Sequence, residues 1–281
     1  TFVYVDATQG WINTMDSTSN VRGNPFMVAS ISGACNTLTT CGDCKIATFT
    51  GPGNFTVCQV AVCAANNLVS YMVVAGGAGG TGDYGGGGGA GGFREVKSPV
   101  TPYTASPLDG YPSAPNRITV TATAFPITVG AGGAGNSSNT GAGFSGSNSV
   151  FSTITSAGGG GGGPAQIAPP SSTGVAGGSG GGGGGYGTAP GGAGNTPPVS
   201  PSQGNAGGNT TAPGSPAYTS AGGGGAGTAG TPLSNPGSPV AGSPGGNGVT
   251  TSISSLPIAR AGGGGGGGWA APGGAGGSGG G

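Results

Sequence analysis

The first quarter of the chain alternates apolar and polar residues in short segments that predict β-strands. β-Branched and aromatic side chains recur at every second position near 2–5, 26–29, 45–50 and 54–57. This is the period of strands with one buried face. Gly51-Pro52-Gly53 separates the last two segments and is a turn signal, so residues 45–60 are predicted to form a hairpin. An apolar run at 68–75 predicts a further buried strand.

Beyond Ala75 the pattern changes to glycine-rich stretches separated by segments rich in Pro, Ser, Thr and Asn. The chain holds 74 glycines in 281 residues, and unbroken runs occur at 158–163 and 180–185. The stretches do not repeat at a constant spacing, which argues against a solenoid of identical units. Two connecting segments, 116–129 and 149–156, keep the period-two alternation of strands.

Glycine has no side chain to bury, so these stretches cannot form an ordinary hydrophobic core. They also lack the strict Gly-X-Y period of collagen. We expect polyproline II rods whose backbones hydrogen-bond to neighbouring rods, with glycine on every face that meets another backbone. Glycines within the runs are then packing positions, represented by Gly160, Gly183, Gly224 and Gly265.

The composition excludes several classes of protein. The chain has six Lys and Arg, six Asp and Glu, no His and a formal net charge of zero. A disordered chain normally combines high net charge with low hydrophobicity, whereas 33% of these residues are apolar. We therefore favour an ordered bundle over a flexible linker. Six scattered cations do not make the basic face that nucleic-acid binding needs, and no apolar run approaches the ~20 residues of a membrane span.

These patterns predict a mainly β plus polyproline II protein with essentially no α-helix. Residues 1–75 are expected to form a small cysteine-containing β module. Residues 76–281 are expected to form a glycine-rich polyproline II bundle with variable loops and a strand-containing insertion at 93–129. Without histidine or paired carboxylates, we expect neither an enzyme nor a cofactor.

All five cysteines lie within the first 75 residues. Their spacing is tolerable for a zinc site, and free thiols are a second alternative. Disulfides are the interpretation we favour for a small module without a large core. If the predicted hairpin closes at its glycine–proline turn, Cys41 faces Cys63 and Cys44 lies one diagonal from Cys58. Cys35 is then unpaired or joined to another subunit.

Aromatic residues are scarce, so their positions are informative. Those within glycine tracts, such as Tyr84 and Trp269, are interpreted as caps or fillers of the rods, with stacking platforms for sugar rings or surface-protein loops as the alternative. Those in connections are interpreted as binding residues, because an exposed aromatic offers a large contact area on a loop held by a rigid scaffold. The shorter connections 188–203 and 209–220 are expected to share this surface. The candidates are Tyr103, Tyr111 and Tyr218, with the cations Arg94 and Arg117.

Several segments resemble a known family. The resemblance is carried by KIATFTGPGNFTV, LVSYMVVAGGAGGTGDYGGGGGAGGFREV, FPITVGAGGAG and GSNSVFSTITSAGGGGGG. These strings resemble the glycine-rich structural proteins of tailed-phage virions, particularly of marine phages. The later glycine-rich part is similar, more loosely, to the polyproline II bundle of T-even-like phage tail-fibre adhesins, in which variable loops contact the bacterial surface.

The resemblance implies a non-enzymatic extracellular protein of the virion surface, of tail-fibre or adhesin type. Its expected partners are copies of itself, other virion proteins, and a host cell-surface glycan or outer-membrane protein. Neither nucleic-acid binding nor membrane insertion is expected. The alternative is a subunit of a self-assembling extracellular filament or sheath, because near-zero net charge removes the repulsion between copies.

Overall fold

The computed structural model describes residues 2–8, 10–13, 24–42, 44–166, 172–185, 187–211, 218–234 and 240–281. Within these ranges there are short strands and two 3₁₀ helices but no α-helix, as the predicted fold class requires. No helix of the described residues is long and apolar enough to span a bilayer. The 3₁₀ helices are Ala64–Asn67 and Ala114–Asn116. The strands are β1 (Phe2–Tyr4), β2 (Trp11–Asn13), β3 (Val28–Ile31), β4 (Thr37–Cys41), β5 (Cys44–Thr48), β6 (Gly53–Gln59), β7 (Leu68–Val69), β8 (Tyr71–Val74), β9 (Phe93–Val96), β10 (Ile118–Thr119), β11 (Ala124–Thr128), β12 (Ser149–Phe151), β13 (Ile154–Ser156), β14 (Thr210–Thr211), β15 (Leu233–Ser234), β16 (Val249–Thr251) and β17 (Ile258–Arg260).

The longest strand, β6, is an inner strand of a five-stranded antiparallel sheet. The strand order is β13-β12-β11-β6-β3, so β6 pairs with β11 on one side and β3 on the other. Val57 of β6 is buried in a hydrophobic core with Tyr71 and Phe151. Phe55 and Phe125 are paired across β6 and β11, with ring centroids 6.4 Å apart. Such cross-strand aromatic pairs stabilise a sheet beyond the area they bury.

Strands from both sides of Ala75 build this sheet. β3 and β6 precede that residue, whereas β11, β12 and β13 follow the first glycine-rich stretches. Likewise, β8 pairs with β9 of the insertion. The glycine-rich stretches therefore leave the β region and return to it.

The predicted hairpin of residues 45–60 is wrong. β5 pairs with the preceding strand β4, while β6 pairs with β3 and β11. The side-chain oxygen of Asn36 accepts hydrogen bonds from the backbone N–H groups of Thr50 and Gly51 (3.1 and 3.2 Å). Its amide nitrogen donates to the Ser32 carbonyl (2.9 Å). These bonds hold the glycine–proline turn against the preceding loop, so β5 and β6 are not hydrogen-bonded to each other.

The two strand-like connections are each divided in the structure. Residues 149–156 form a hairpin of β12 and β13 rather than one strand, and Ser152 in its turn has φ +53°. Residues 116–129 contain β10 and β11, which pair with different partners, β7 and β6. A period-two pattern continues through such interruptions, so it predicts the strands but not where they turn.

The seven backbone N–H groups of residues 179–185 all donate to other segments, in directions that recur at every third residue. Ser179, Gly182 and Gly185 donate to the segment 84–90, Gly180 and Gly183 to the segment 205–208, and Gly181 and Gly184 to the segment 172–175. A polyproline II helix has three residues per turn and no internal hydrogen bonds. The N–H groups of such a helix therefore point in the same direction at every third residue, which is the period observed here.

The same three-residue period occurs elsewhere in the glycine-rich region. Gly159 and Gly162 donate to the segment 76–79, while Gly160 and Gly163 donate to the segment 179–182. The N–H groups that these runs would leave unpaired are thus satisfied by neighbouring runs rather than by strands of a sheet.

The interior positions leave no room for a side chain. A Cβ atom at Gly160 would overlap the backbone carbonyl of Val175. The other predicted packing positions have the same environment: Gly183, Gly224 and Gly265 lie against the carbonyls of Ala189, Asn205 and Gly274. Backbones therefore meet at distances that only glycine permits.

Alanine occurs in an outer run where its side chain points away from the bundle. In the run 130–135, Ala131 and Ala134 are exposed. A Cβ atom at Gly133 would overlap the Phe144 carbonyl, whereas one at Gly132 would lie 3.6 Å from the Gly77 oxygen. The run therefore needs glycine on the face that meets its neighbour and tolerates larger residues on the others.

The glycine runs extend from one end of the bundle to the other. The strand end carries β8–β13 and the β16–β17 hairpin. The loop end consists of the connections 81–85, 136–142, 218–220 and 268–272. Two hydrogen bonds of one run show this arrangement. Gly92, next to β9, donates to Ala157, next to β13, while Gly86 donates to Gly163 near the loop end.

Replacement of Gly160 by Ala is expected to lower the free energy of unfolding by ~1–3 kcal/mol, because the new methyl group must displace a hydrogen-bonded run. Gly132→Ala is the matched control. It places a methyl group in ordinary contact and is expected to be neutral or slightly stabilising. Thermal melting of both variants checks this prediction. Equal melting temperatures would contradict the close packing of backbones.

Candidate binding surfaces

Three aromatic residues that are far apart in the sequence form a cluster at the loop end. The ring of Tyr84 is buried (5% exposed), while Tyr218 and Trp269 are 45% and 52% exposed. Both exposed rings pack edge to face on Tyr84, with centroids 5.4 Å and 6.3 Å from it. We call these three residues the aromatic cluster. Its buried member supports the two rings that face solvent.

Backbone hydrogen bonds hold the cluster on the ends of the glycine runs. The Trp269 N–H donates to the Tyr218 carbonyl (2.7 Å), and the Gly185 N–H donates to the Tyr84 carbonyl (3.0 Å). The hydroxyl of Ser220 donates to the carbonyl of Gly85 (2.6 Å). The rings are therefore attached to the hydrogen-bonded runs of the bundle.

Three non-glycine residues at this end adopt left-handed backbone conformations. Asp83, Tyr218 and Ala270 have φ values of +52°, +50° and +54°. This region is uncommon for residues with a side chain and costs free energy. Such conformations often concentrate at binding sites, where surrounding contacts maintain them.

Polar groups also occur in the connections of the loop end. The amide nitrogen of Asn139 donates a hydrogen bond to the carboxylate of Asp83, the residue before Tyr84. Ser138 and Thr140 in the same loop are exposed, and their hydroxyl groups are 3.0 Å apart. The loop end thus combines flat apolar surface with hydrogen-bonding groups.

The predicted binding residues of the insertion lie at the strand end and are engaged within the protein. Tyr103 is half-buried, and its hydroxyl donates to the Val96 carbonyl (3.3 Å). Burial, and then the charge of Glu95, raise the pKa of Tyr103. Glu95 is itself buried and accepts a hydrogen bond from the Ser106 N–H (2.8 Å). Tyr103 therefore contributes to the packing of the insertion.

Tyr111 is also packed within the insertion. It lies against the hydrophobic core, and the guanidinium of Arg117 sits 4.4 Å from the centre of its ring. Arg117 also donates from Nε to the Tyr111 carbonyl (2.7 Å). The contact of the exposed Arg117 with the Tyr111 ring therefore joins two segments of the insertion.

Arg94 belongs to a network around a buried asparagine. Its Nη2 atom donates to Oδ1 of Asn116 (2.6 Å). The amide nitrogen of Asn116 donates to the carbonyls of Gly110 and Ser200, and its backbone carbonyl accepts from the Tyr71 hydroxyl (2.6 Å). Burial raises the pKa of Tyr71 to about 12, although the nearby Arg94 charge opposes this shift.

The structure therefore separates the predicted binding residues into two places. Tyr103, Tyr111, Arg94 and Arg117 lie at the strand end, whereas Tyr218 lies at the loop end. Tyr84 and Trp269, interpreted from the sequence as caps, join Tyr218. Sequence reasoning missed this cluster, although each of the two lies next to a glycine run: Tyr84 before Gly85 and Trp269 after Gly268.

The predicted disulfides are not formed in the structure. Cys35, Cys44, Cys58 and Cys63 are free thiols, and the side chain of Cys41 lies outside the described residues. The backbone of Cys41 is paired with Cys44, not with Cys63. The pairing scheme was wrong because it assumed that β5 and β6 form a hairpin. Within the described part of the chain, no three Cys, His, Asp or Glu residues are grouped to hold a metal ion.

The chain belongs to the glycine-rich domain family, whose model matches residues 50–281. This match begins before the predicted boundary at residue 75 and includes β6, the insertion and all of the glycine runs. No curated protein and no solved structure matches the chain.

Stability is expected to decrease at alkaline pH because of Tyr71. Its folded pKa of about 12 exceeds the ordinary value of 10.0, so its contribution is complete below pH 10 and is lost as the pH rises toward 12. Urea unfolding between pH 8 and pH 11.5 measures this dependence. Tyr71→Phe is expected to flatten it, while the lost hydrogen bond costs ~1 kcal/mol at neutral pH. Parallel profiles for the two proteins would contradict the assignment.

The free thiols predict a labelling pattern. Iodoacetamide added to the folded, unreduced protein should alkylate the exposed Cys35, Cys58 and Cys63, and should modify the half-buried Cys44 more slowly. Mass spectrometry of the labelled peptides measures each site. Protection of Cys58 and Cys63 that disappears on reduction would show that disulfides form after all.

Proposed function

We propose that the protein is a non-enzymatic extracellular adhesive protein, a tail-fibre or adhesin component of a phage virion that presents surface loops on a rigid glycine-rich scaffold. The observation that carries the proposal is the pair of exposed aromatic rings, Tyr218 and Trp269, at the loop end of the bundle. Large rings on short connections are typical of binding surfaces, since they give contact area at low entropic cost.

The bundle suits the presentation of such a surface. Its interior consists of backbone held by hydrogen bonds in several directions, so a connection at its end rests on many neighbouring runs. Because the glycines of the runs meet neighbouring backbones directly, changes in the connections need not alter the packing below them. The resemblance to phage structural proteins and adhesins supports the same conclusion.

The two ends have different roles in this proposal. The loop end meets the host surface, where a glycan or an outer-membrane protein is the receptor. The strand end and the N-terminal strands join other virion proteins or further copies of the chain. The hydrophobic core and most of the insertion lie at the strand end. A well-packed end of this kind suits attachment to the rest of the virion.

A self-assembling filament is the second candidate, and the N-terminal hairpin favours it. Tyr4 and Trp11 of β1 and β2 pack edge to face with centroids 5.5 Å apart, yet Trp11 remains 70% exposed. Val3 and Val5 are also exposed. A small apolar hairpin of this kind would bury its surface in contact with another copy.

Substitution of both Tyr218 and Trp269 by Ala is expected to lower adsorption of the labelled protein to receptive bacteria by about 10- to 100-fold, the loss that one or two aromatic anchors produce. Phe144→Ala is the matched control, because Phe144 is 59% exposed on a neighbouring run outside the aromatic cluster. Unchanged adsorption of the double variant would contradict a binding role of the loop end.

Electron microscopy of the purified protein distinguishes the two candidates. The adhesive proposal expects discrete particles. Ordered fibres that disappear on Trp11→Ala would instead support the filament, with the hairpin as its contact.

A further inference from the structure

We propose that the aromatic cluster binds an uncharged sugar ring, stacked on Trp269 and Tyr218. This inference rests on the proposed adhesive function and specifies the class of ligand at its loop-end surface. Both rings are about half exposed, and both are supported by the buried ring of Tyr84. Their orientation is therefore set before a ligand arrives, which lowers the entropic cost of binding.

The chemistry of the loop end matches the two kinds of surface on a pyranose. The C–H face of a sugar ring is apolar and fits the flat face of an indole or phenol. The hydroxyl groups at its edge need donors and acceptors. Asp83 and Asn139 supply a carboxylate and an amide, and Ser138 and Thr140 supply exposed hydroxyls.

The distribution of charge selects against acidic ligands. The cations among the described residues all belong to strands or to the insertion: Lys45, Arg94, Lys97, Arg117 and Arg260. The one charged residue described at the loop end is Asp83. An anionic sugar would meet this carboxylate with none of the described cations at the same end to offset it, so a neutral sugar is preferred over uronic or phosphorylated ones.

The arrangement of the rings also disfavours a cationic ligand. An aromatic cage surrounds a quaternary ammonium group with rings that face a common space. Here the two exposed rings instead pack edge to face on the same buried ring.

Binding is measured in a Trp11→Phe background, in which Trp269 is the remaining tryptophan of the two in the chain. The neutral probes are the tetrasaccharides of N-acetylglucosamine, glucose and mannose. The tetramers of galacturonate and glucosamine are the anionic and cationic comparisons. At least one neutral probe is expected to bind and to shift the Trp269 emission. The galacturonate tetramer should bind at least about tenfold more weakly.

Variants identify the stacking contact. Trp269→Ala and Tyr218→Ala should each weaken binding of the neutral probe by about tenfold or more, measured by calorimetry because the first variant lacks the fluorescent reporter. Tyr218→Phe keeps the ring and should bind within about threefold of the parent protein. Phe144→Ala should bind as the parent does. Equal melting temperatures show that the variants are folded.

Four results would overturn the inference. They are no binding of any neutral probe below about 10 mM, equal or stronger binding of the galacturonate tetramer, stronger binding of the glucosamine tetramer, and sugar binding that survives both alanine substitutions. If no sugar binds but adsorption to bacteria still depends on Trp269, the adhesive function stands with a protein receptor. If the neutral sugar binds but the protein adsorbs to no bacterial surface, the sugar site stands and the adhesive function fails.

Discussion

The packing of backbone directly against backbone is the constraint on which the glycine-rich part of this structure depends. A run such as 179–185 has no helix or sheet of its own, so each of its N–H groups needs a carbonyl from another run. The runs must approach until these bonds form, and at that separation even one methyl group overlaps a neighbouring carbonyl. Glycine is therefore required because it is small, not because it is flexible. The entropic cost of ordering it is offset by hydrogen bonds in three directions.

A bundle of this kind has few apolar side chains to bury, so the hydrophobic core is located elsewhere. Val57, Tyr71 and Phe151 meet at the strand end, and Phe93 lies at the junction, 1% exposed. The Phe93 N–H donates to the Gln203 carbonyl, and the side chain of Gln203 accepts from the Ala157 N–H and donates to the Pro197 carbonyl of its own connection. The strands and the bundle are thus one hydrogen-bonded structure, which explains why strands before and after Ala75 share a sheet.

The sequence predicted the features that depend on local pattern. Alternation located β6 and β11, and the glycine runs indicated buried backbones. Which strands pair was not predictable, because β5 has an alternation that fits any antiparallel neighbour, and the bonds from Asn36 to the turn after β5 come from a residue outside the alternating segments. The cysteine pairing failed for the same reason. The aromatic cluster was missed because Tyr84, Tyr218 and Trp269 lie far apart in the sequence. The position of Tyr84 and Trp269 next to glycine runs was the available signal.

The close contact of backbones in the bundle also determines where recognition can occur. At most glycines of the runs a Cβ atom would overlap a neighbouring backbone, so the space between the runs has little room for a ligand. Functional side chains must lie on the outer faces or at the two ends. At the strand end, Tyr111, Arg117 and Arg94 are occupied by contacts within the insertion, so they are poorly placed to meet a partner without rearrangement. At the loop end, the rings of Tyr218 and Trp269 are held by backbone hydrogen bonds while half of their surface remains open to solvent. Stability and recognition therefore rest on different residues, and the loop end is where the surface can change without disturbing the packing of the runs.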